Sequence, residues 1–538
     1  MDSYASKINS GSYSQSSSIW VTKRPFSRAR TLGSNLFLFL QPIHIFVLAF
    51  FFYPMQTGTL FFSGAISLVV YSFLIYSEYI RDRFAISPFL LYLFLSWIRL
   101  GLIPIYVAFA VELGYENDLL FGGYDAFDYF VPGHFINVFG DWFLVAGYYI
   151  LRKCSSPPKP LQFYDPRTST HSMVKSAFIL LAITYGAKLA IWAGFPLERL
   201  GQVYNFVSAY GAAAAMLILL FAIGKASAKK RHLLMLLFAA VFIFELQQSL
   251  LSYMKQDVIV SVLPVFIYLV INLPNISKRF GPRISYKHML VIAAILLFSI
   301  SVVFTYSNMR RGAFWQMPGI LRAKRPDVLL FLLPAIKASI PGTQEFSENH
   351  VFPAGGVWHF LARNEFVSSS GWAYSHVQQS GTNDGEFIKE VPANLIPRVV
   401  WAGKPKVSRG RSIAVLLGQA KSWESATTAT GFPMAACLYF GWGFPCVVIG
   451  MFLNGMLLFL AWKVFSPSIN VNPISTLICV SLFVKSIRWF EGAFDGQAVY
   501  YVLVLAVFLP LSRMIAAKNR CIFQISAIKP EEKPIDES

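Results

Sequence analysis

Apolar runs of about twenty residues recur along most of this chain, and they restrict it to one class of fold. A helix of that length crosses the hydrocarbon core of a bilayer and makes its backbone hydrogen bonds within itself. Of the 538 residues, 55% are hydrophobic and 14% are charged, whereas soluble domains are usually about 25% charged. The sequence therefore predicts an all-α, polytopic integral membrane protein.

About twelve transmembrane helices with one large extracytoplasmic loop are predicted, and Pro or Gly marks many of their ends. The predicted spans are residues 35–54, 58–80, 86–111, 135–151, 173–194, 204–224, 232–254, 257–274, 288–307, 435–462, 473–490 and 497–515. They divide the chain into a disordered cytoplasmic tail (1–34), nine spans (35–306), the large loop (307–434), three spans (435–515) and a second cytoplasmic tail (516–538). The Ser-rich residues 1–34 lack the short apolar core and cleavage site of a signal peptide.

The distribution of Lys and Arg predicts the orientation of the spans. Alternate short loops are basic, with Arg81 and Arg83, then Arg152, Lys153, Lys159 and Arg167, then Lys225, Lys229, Lys230 and Arg231, then Lys278, Arg279, Arg283 and Lys287. The loop 112–134 has no Lys or Arg and five acidic residues. We therefore expect both termini in the cytoplasm of a bacterium and the loop 307–434 outside the inner membrane. Topology and lipid headgroups account for the net charge of +19, so we expect no nucleic-acid partner.

The large loop is basic, with fourteen Lys or Arg against eight Asp or Glu, and it contains a candidate anion site. Arg398 and Lys404 lie beside prolines that hold the backbone extended. Trp401 lies between them and suits a sugar face or the membrane interface. Arg409 and Arg411 follow closely, in a segment 408–420 whose pattern predicts a short helix on the membrane surface. Guanidinium groups match phosphate oxygens in pairs, although a structural turn would use the same Pro and Gly residues.

Two further groups in the loop are candidates for chemistry. Arg310 and Arg311 end the ninth predicted span, where they would clamp a lipid pyrophosphate or act as anchors that reach the headgroups. His359 and Arg363 share one face if their segment is helical. Either His359 or Glu365 could act as the general base toward a sugar hydroxyl, while a lone histidine is more often structural.

Weaker base candidates and an apolar segment also occur in the loop. His376, Asp384 and Glu386 lie in a Gly-rich stretch, and residues 326–340 are apolar but too short to span. The latter predict a re-entrant or interfacial segment. None of the five Cys forms a C-x-x-C pair, and no metal-ligand or nucleotide motif is present, so no metal or cofactor is expected.

Six ionisable residues fall inside predicted spans, where each costs about 2.5–3.5 kcal/mol on the insertion scale unless it faces protein or water. They are Arg99, Asp141, Lys188, Glu245, Lys485 and Arg488. We expect Glu245 to pair with Lys188, and Arg488 with Glu491. An ion pathway, which would favour a transporter, is the alternative, and Arg99 and Arg488 could also line a headgroup cavity.

The order of motifs in residues 355–460 resembles that of Wzy-type oligosaccharide repeat-unit polymerases, which make O-antigen and exopolysaccharide. The motifs are Ile-Pro-Arg-x-x-Trp-x-x-Lys-Pro (396–405), Gly410, Gly418, Thr-Thr-Ala-Thr-Gly (427–431) and Leu-Tyr-Phe-Gly-Trp-Gly (438–443). Arg398 and Lys404 match the motif cations, and Arg411, Arg310 and Arg311 fall where basic residues are common. Such polymerases often carry a Glu just before the aromatic-Phe-Gly element, and residues 434–441 have no acid.

The resemblance implies a metal- and cofactor-free glycosyltransferase at the outer face of the inner membrane. The enzyme would transfer a growing glycan from undecaprenyl pyrophosphate to the non-reducing hydroxyl of a new repeat unit. Its partners would be that lipid-linked oligosaccharide, membrane lipids, a chain-length regulator and a flippase. A periplasmic glycan ligase, or a lipid-linked glycan flippase or transporter, remains the alternative.

Overall fold

The computed structural model describes about three-fifths of the chain, and every structural statement below concerns those residues. They are 25–50, 57–81, 87–114, 127–155, 169–193, 195, 202–251, 258–268, 366–385, 393, 395–396, 400–401, 403, 409–416, 421–422, 432–469, 472–488 and 494–515. Within these ranges the regular structure is helical and contains no strand. The prediction of an all-α chain is therefore confirmed for the described residues.

Fourteen helices are described. They are α1 (Pro25–Phe50), α2 (Thr57–Arg81), α3 (Pro88–Ser96), α4 (Ile103–Glu112), α5 (Phe130–Cys154), α6 (Thr170–Trp192), α7 (Gln202–Lys225), α8 (Ala228–Leu251), α9 (Val258–Tyr268), α10 (Val367–Ser380), α11 (Arg409–Leu416), α12 (Met434–Phe465), α13 (Pro473–Arg488) and α14 (Phe494–Leu503). A π-helical turn, Trp97–Leu102, joins α3 to α4. A second π-helical turn, Val504–Phe508, extends α14.

Among the described residues, seven helical stretches are long and apolar enough to cross a membrane. They are Thr57–Tyr79, Pro88–Glu112, Thr170–Ala190, Phe206–Lys225, Ala228–Ser249, Met434–Ser468 and Gly496–Ile515. Each overlaps a predicted span, and Met434–Ser468 contains a break that is described below. Three other predicted spans fall on the shorter apolar helices Phe37–Ala49, Val258–Tyr268 and Pro473–Ile487, and a fourth falls within α5. The predicted span 288–307 lies outside the described residues.

The core of the bundle is the contact between α5 and α12, where glycines let two backbones meet. A Cβ on Gly147 would lie 2.1 Å from the carbonyl oxygen of Phe452, and a Cβ on Gly455 would lie 1.9 Å from that of Leu144. Farther along, the rings of Tyr148 and Phe459 meet at 5.3 Å. Small residues that allow this approach are typical of helix packing in membranes.

The helix α12 is not one continuous span, although residues 435–462 were predicted to form one. Trp442 (φ −146°, ψ 27°) and Gly443 (φ 71°, ψ −159°) have non-helical backbones. Leu438 packs against Gly450, whereas twelve residues of straight helix would separate them by about 18 Å. We therefore divide α12 into α12a (434–441) and α12b (444–465), which fold back on each other.

The sequence at the break explains why the helix ends there. The dihedral angles of Gly443 lie in a region that is essentially restricted to glycine. Pro445 then occupies the first turn of α12b, where its missing N–H leaves no helical bond unmade. The rings of Phe139 and Phe444 meet at 5.4 Å, so α12b and α5 run in the same direction from this level to Tyr148 and Phe459. These helices lie in the fourth and tenth predicted spans, which both enter the membrane from outside in the predicted topology and must therefore run in the same direction.

Candidate functional site

Part of the predicted outer loop is built into the helix bundle rather than lying on its surface. The helix α10 crosses the start of α5 so closely that a Cβ on Gly133 would lie 2.3 Å from the backbone nitrogen of Gly371. The neighbouring Ser370 is fully buried, and its hydroxyl is 3.2 Å from Oδ1 of Asn137. Small and hydroxyl-bearing residues thus let a largely polar helix pack against a membrane helix.

An aromatic cluster joins α10 to α12a. His376 stacks on Trp372 with ring centroids 5.0 Å apart, and it lies 5.3 Å from the ring of Phe440. Tyr374 stacks on Tyr439 at 5.7 Å. Burial beside these rings lowers the pKa of His376 below its ordinary value, so the imidazole is neutral near pH 7 and can accept a proton.

The basic helix α11 docks on the same cluster. Its Ile413 is 1% exposed and lies in a small apolar core with Ala373, Phe432 and Cys437. The prediction of a short helix in residues 408–420 is confirmed for Arg409–Leu416. Arg409 and Arg411, both predicted to bind an anion, lie in the first turn of this docked helix.

The segment 381–385 closes the break in α12. A helix leaves its last carbonyl groups without partners, and at the end of α12a two of them receive backbone donors from this segment. The N–H of Asn383 donates to the carbonyl of Phe440 at 2.9 Å, and the N–H of Gly385 donates to that of Gly441 at 3.1 Å. The loop segment and the Phe-Gly-Trp-Gly element are therefore one structural unit.

The structure describes only some of the predicted site residues. Arg310, Arg311, His359, Arg363, Glu365, Arg398 and Lys404 lie outside the described residues, as does the predicted re-entrant segment 326–340. Trp401 is described and is 41% exposed. The structure thus brings α11, which carries Arg409 and Arg411, to the aromatic cluster that includes His376, one of the weaker base candidates.

A polar network inside the bundle surrounds Asp141, which is 1% exposed. Its carboxylate accepts hydrogen bonds from the hydroxyl groups of Tyr71, Tyr92 and Ser96. A cavity of about 10 Å³, with room for about one water molecule, lies between Asp141 and the first residues of α12a. Asp141 therefore faces protein, as its predicted position in a span requires.

Lys188, Glu245 and Arg99 also contact protein. Lys188 Nζ lies 3.1 Å from Glu245 Oε1, so that predicted pair is confirmed. Arg99 lies in the π-helical turn, where Nη2 is 3.4 Å from the carbonyl oxygen of Ile487 and the guanidinium is 5.2 Å from the ring centroid of Phe366. The predicted pairing of Arg488 involves Glu491, which lies outside the described residues.

Three polar contacts of α2 were not predicted from the sequence. The hydroxyl of Ser63 lies 2.7 Å from the Nε2 atoms of both His44 and His134, and Glu78 pairs with Arg152 at 2.5 Å. On α2 these residues follow helical spacing with Tyr71 between them, and this polar stripe on an apolar helix is a signal that the sequence does carry. No group of three or more His, Cys, Asp or Glu suited to a metal ion occurs in the described ranges.

The described residues thus form a helical bundle with seven helical stretches long and apolar enough to cross a membrane, and α10, from the predicted outer loop, packs at the start of α5. Comparisons with models of known families, with curated proteins and with solved structures find no match to this chain.

Proposed function

We propose that this protein is a glycosyltransferase that joins undecaprenyl-pyrophosphate-linked repeat units into O-antigen or exopolysaccharide at the outer face of the bacterial inner membrane. One observation supports the proposal above the others. Three separate parts of the chain, residues 366–385, 409–416 and 432–442, pack together at one end of the bundle. This packing places the helix that carries two arginines beside an aromatic surface. Arginines suit the diphosphate of a lipid-linked glycan, and aromatic rings suit its sugars.

The reaction would exchange one glycosidic bond for another. The non-reducing hydroxyl of a new repeat unit attacks the anomeric carbon of the growing chain, and the bond to the lipid pyrophosphate breaks. The pyrophosphate leaves with the electron pair, while a base takes the hydroxyl proton. Cations positioned at the phosphates stabilise the charge that grows on them.

Residues from the predicted site would divide these roles. Arg398, Lys404, Arg409 and Arg411 would hold the diphosphate, together with Arg310, Arg311 and Arg363, and Trp401 would contact a sugar. His359 or Glu365 would act as the base. His376 is a further base candidate, because partial burial keeps its imidazole neutral near pH 7. No step of this exchange requires a metal ion or a cofactor.

The test is the length profile of surface polysaccharide in a deletion strain carrying each variant. We expect Arg398→Ala to leave protein level and insertion intact while long chains disappear and single-repeat material remains. Lys229→Ala is the matched control, since Lys229 is an exposed cation at the start of α8, where a cytoplasmic loop is predicted. Normal chain length in the Arg398 variant would remove this arginine from the site.

The break in α12 favours a lipid-linked glycan flippase or transporter as the second candidate. Interrupted helices and buried ionisable residues such as Asp141 are typical of substrate paths through a bilayer. The deletion strain separates the candidates. Loss of a polymerase leaves single units at the surface, loss of a flippase leaves lipid-linked units inside the cell, and loss of a ligase leaves long polymer on its lipid carrier.

A further inference from the structure

Trp442 lies at the break between α12a and α12b, and its indole packs on the backbone of Gly385. A Cβ on Gly385 would lie 2.1 Å from Cζ2 and 2.2 Å from Cε2 of the ring. The six-membered ring therefore packs directly on the α-carbon of Gly385, while 46% of Trp442 remains exposed.

The support under the ring is rigid because its backbone is unusual and hydrogen bonded. Asp384 and Gly385 both have positive φ, 45° and 67°, as the central Asp-Gly pair of a tight turn often has. The donors of Asn383 and Gly385 tie this turn to the end of α12a. Gly443, on the other side of Trp442, has a backbone that only glycine adopts readily. The ring is thus preorganised, which lowers the entropy lost when a ligand binds.

The turn that carries Gly385 is polar. Thr382 and Asp384 are exposed, and Asn383 is half-buried. Asp384 directly precedes the glycine on which the ring rests, so its carboxylate lies in the same short turn as the platform. An aromatic face beside carboxylate and amide groups suits a sugar, whose C–H groups contact the ring and whose hydroxyl groups donate to and accept from polar neighbours.

We propose that Trp442 is a stacking platform for a pyranose ring of the glycan, with Asp384 and Asn383 bonding to its hydroxyl groups. The inference rests on the proposed function, since it adds a sugar subsite to the same outer surface. The rival role is an interfacial anchor among lipid headgroups. The turn argues against that role, because its exposed acidic residue, Asp384, disfavours lipid phosphates and a lipid-facing ring does not need a fixed backbone support.

The binding test uses purified protein in nanodiscs and one probe. The probe is the oligosaccharide that mild acid releases from lipid-linked repeat units extracted from wild-type cells. Calorimetric titration should show binding to the wild type, weaker binding to Trp442→Phe and a loss of roughly tenfold for Trp442→Leu, in line with the value of an aromatic contact. Equal affinity of the leucine variant and the wild type, or no binding to the wild type, would overturn the platform.

Two glycine variants provide a matched pair. Gly385→Ala places a methyl group into the indole and should displace it, so we expect a similar loss of affinity. Gly114→Ala also places a side chain at a position with positive φ, +77°, but Gly114 lies just after α4 and no described atom lies within 4 Å of its Cβ. It should bind the probe as the wild type does. If the two variants bind equally, the position of the ring does not matter and the proposal is wrong.

The two proposals fail in different ways. If Trp442→Leu loses the probe but the deletion strain still makes long polymer, the platform stands and polymerisation is refuted. If the deletion strain loses long chains while Trp442→Leu binds the probe normally, polymerisation stands and the platform is refuted.

Discussion

Replacing Gly147 by alanine should destabilise the protein, because the contact between α5 and α12b is made backbone to backbone. The new methyl carbon would lie 2.1 Å from the carbonyl oxygen of Phe452, whereas ordinary contacts begin near 3.4 Å. The two helices would have to separate by about 1.3 Å at this point. That movement loosens buried side chains around the contact, including Leu144, Tyr148 and Phe459.

The expected size follows from two opposing effects. Overfilling a packed interface usually costs about 1–3 kcal/mol, while alanine is better than glycine inside a helix by up to about 1 kcal/mol. The cost of overfilling exceeds the gain in helix propensity, so the free energy of unfolding should fall by about 1–2 kcal/mol. Gly186 is the matched control, since it lies in the helix α6 and no described atom lies within 4 Å of its Cβ. Gly186→Ala should keep or slightly raise stability.

The assay heats a fluorescent fusion of each variant in detergent and then measures its monodisperse peak by size-exclusion chromatography. The measured quantity is the temperature at which half of that peak is lost. Gly147→Ala should have a midpoint several degrees below that of the wild type, and Gly186→Ala a midpoint at or above it. Equal midpoints for the two variants would mean that the approach of α5 and α12b is not as close as described, and the reasoning would fail.

Two further expectations concern ionisable groups, Glu78, which is buried, and His376, which is partly buried. Glu78→Gln leaves Arg152 without its carboxylate partner and should lower the free energy of unfolding by about 3–5 kcal/mol. The double variant with Arg152→Gln should lose less stability than the sum of the two single variants. Strictly additive shifts of the thermal midpoints would refute the pairing. Burial lowers the pKa of His376, so the unfolded state binds its proton more readily and stability should fall as pH decreases below about 6.5. His376→Gln should flatten that part of the stability–pH curve, and an unchanged slope would contradict the assigned burial.

Hydropathy and charge were sufficient for the coarse architecture. An apolar run of membrane length has few alternatives to a helix, because lipid offers no partner for backbone N–H and C=O groups. Seven predicted spans accordingly coincide with long apolar helices of the described residues. The pairing of Lys188 with Glu245 was also predictable, since an isolated charge inside a span is costly and few partners were available.

The break in α12 and the burial of α10 were decided by tertiary structure. Mean hydropathy is the same for a straight helix and for one that folds back, so the pattern of residues 434–465 could not distinguish them. The fold-back depends on Gly443 and on donors from residues 383 and 385, about sixty residues earlier in the chain. Contacts between such distant segments have no local signature, because they depend on how the backbone brings the segments together. The sequence alone determined that the described part of the chain is helical and suited to a membrane, while the meeting of α10, α11 and Trp442 at one end of the bundle required the folded chain.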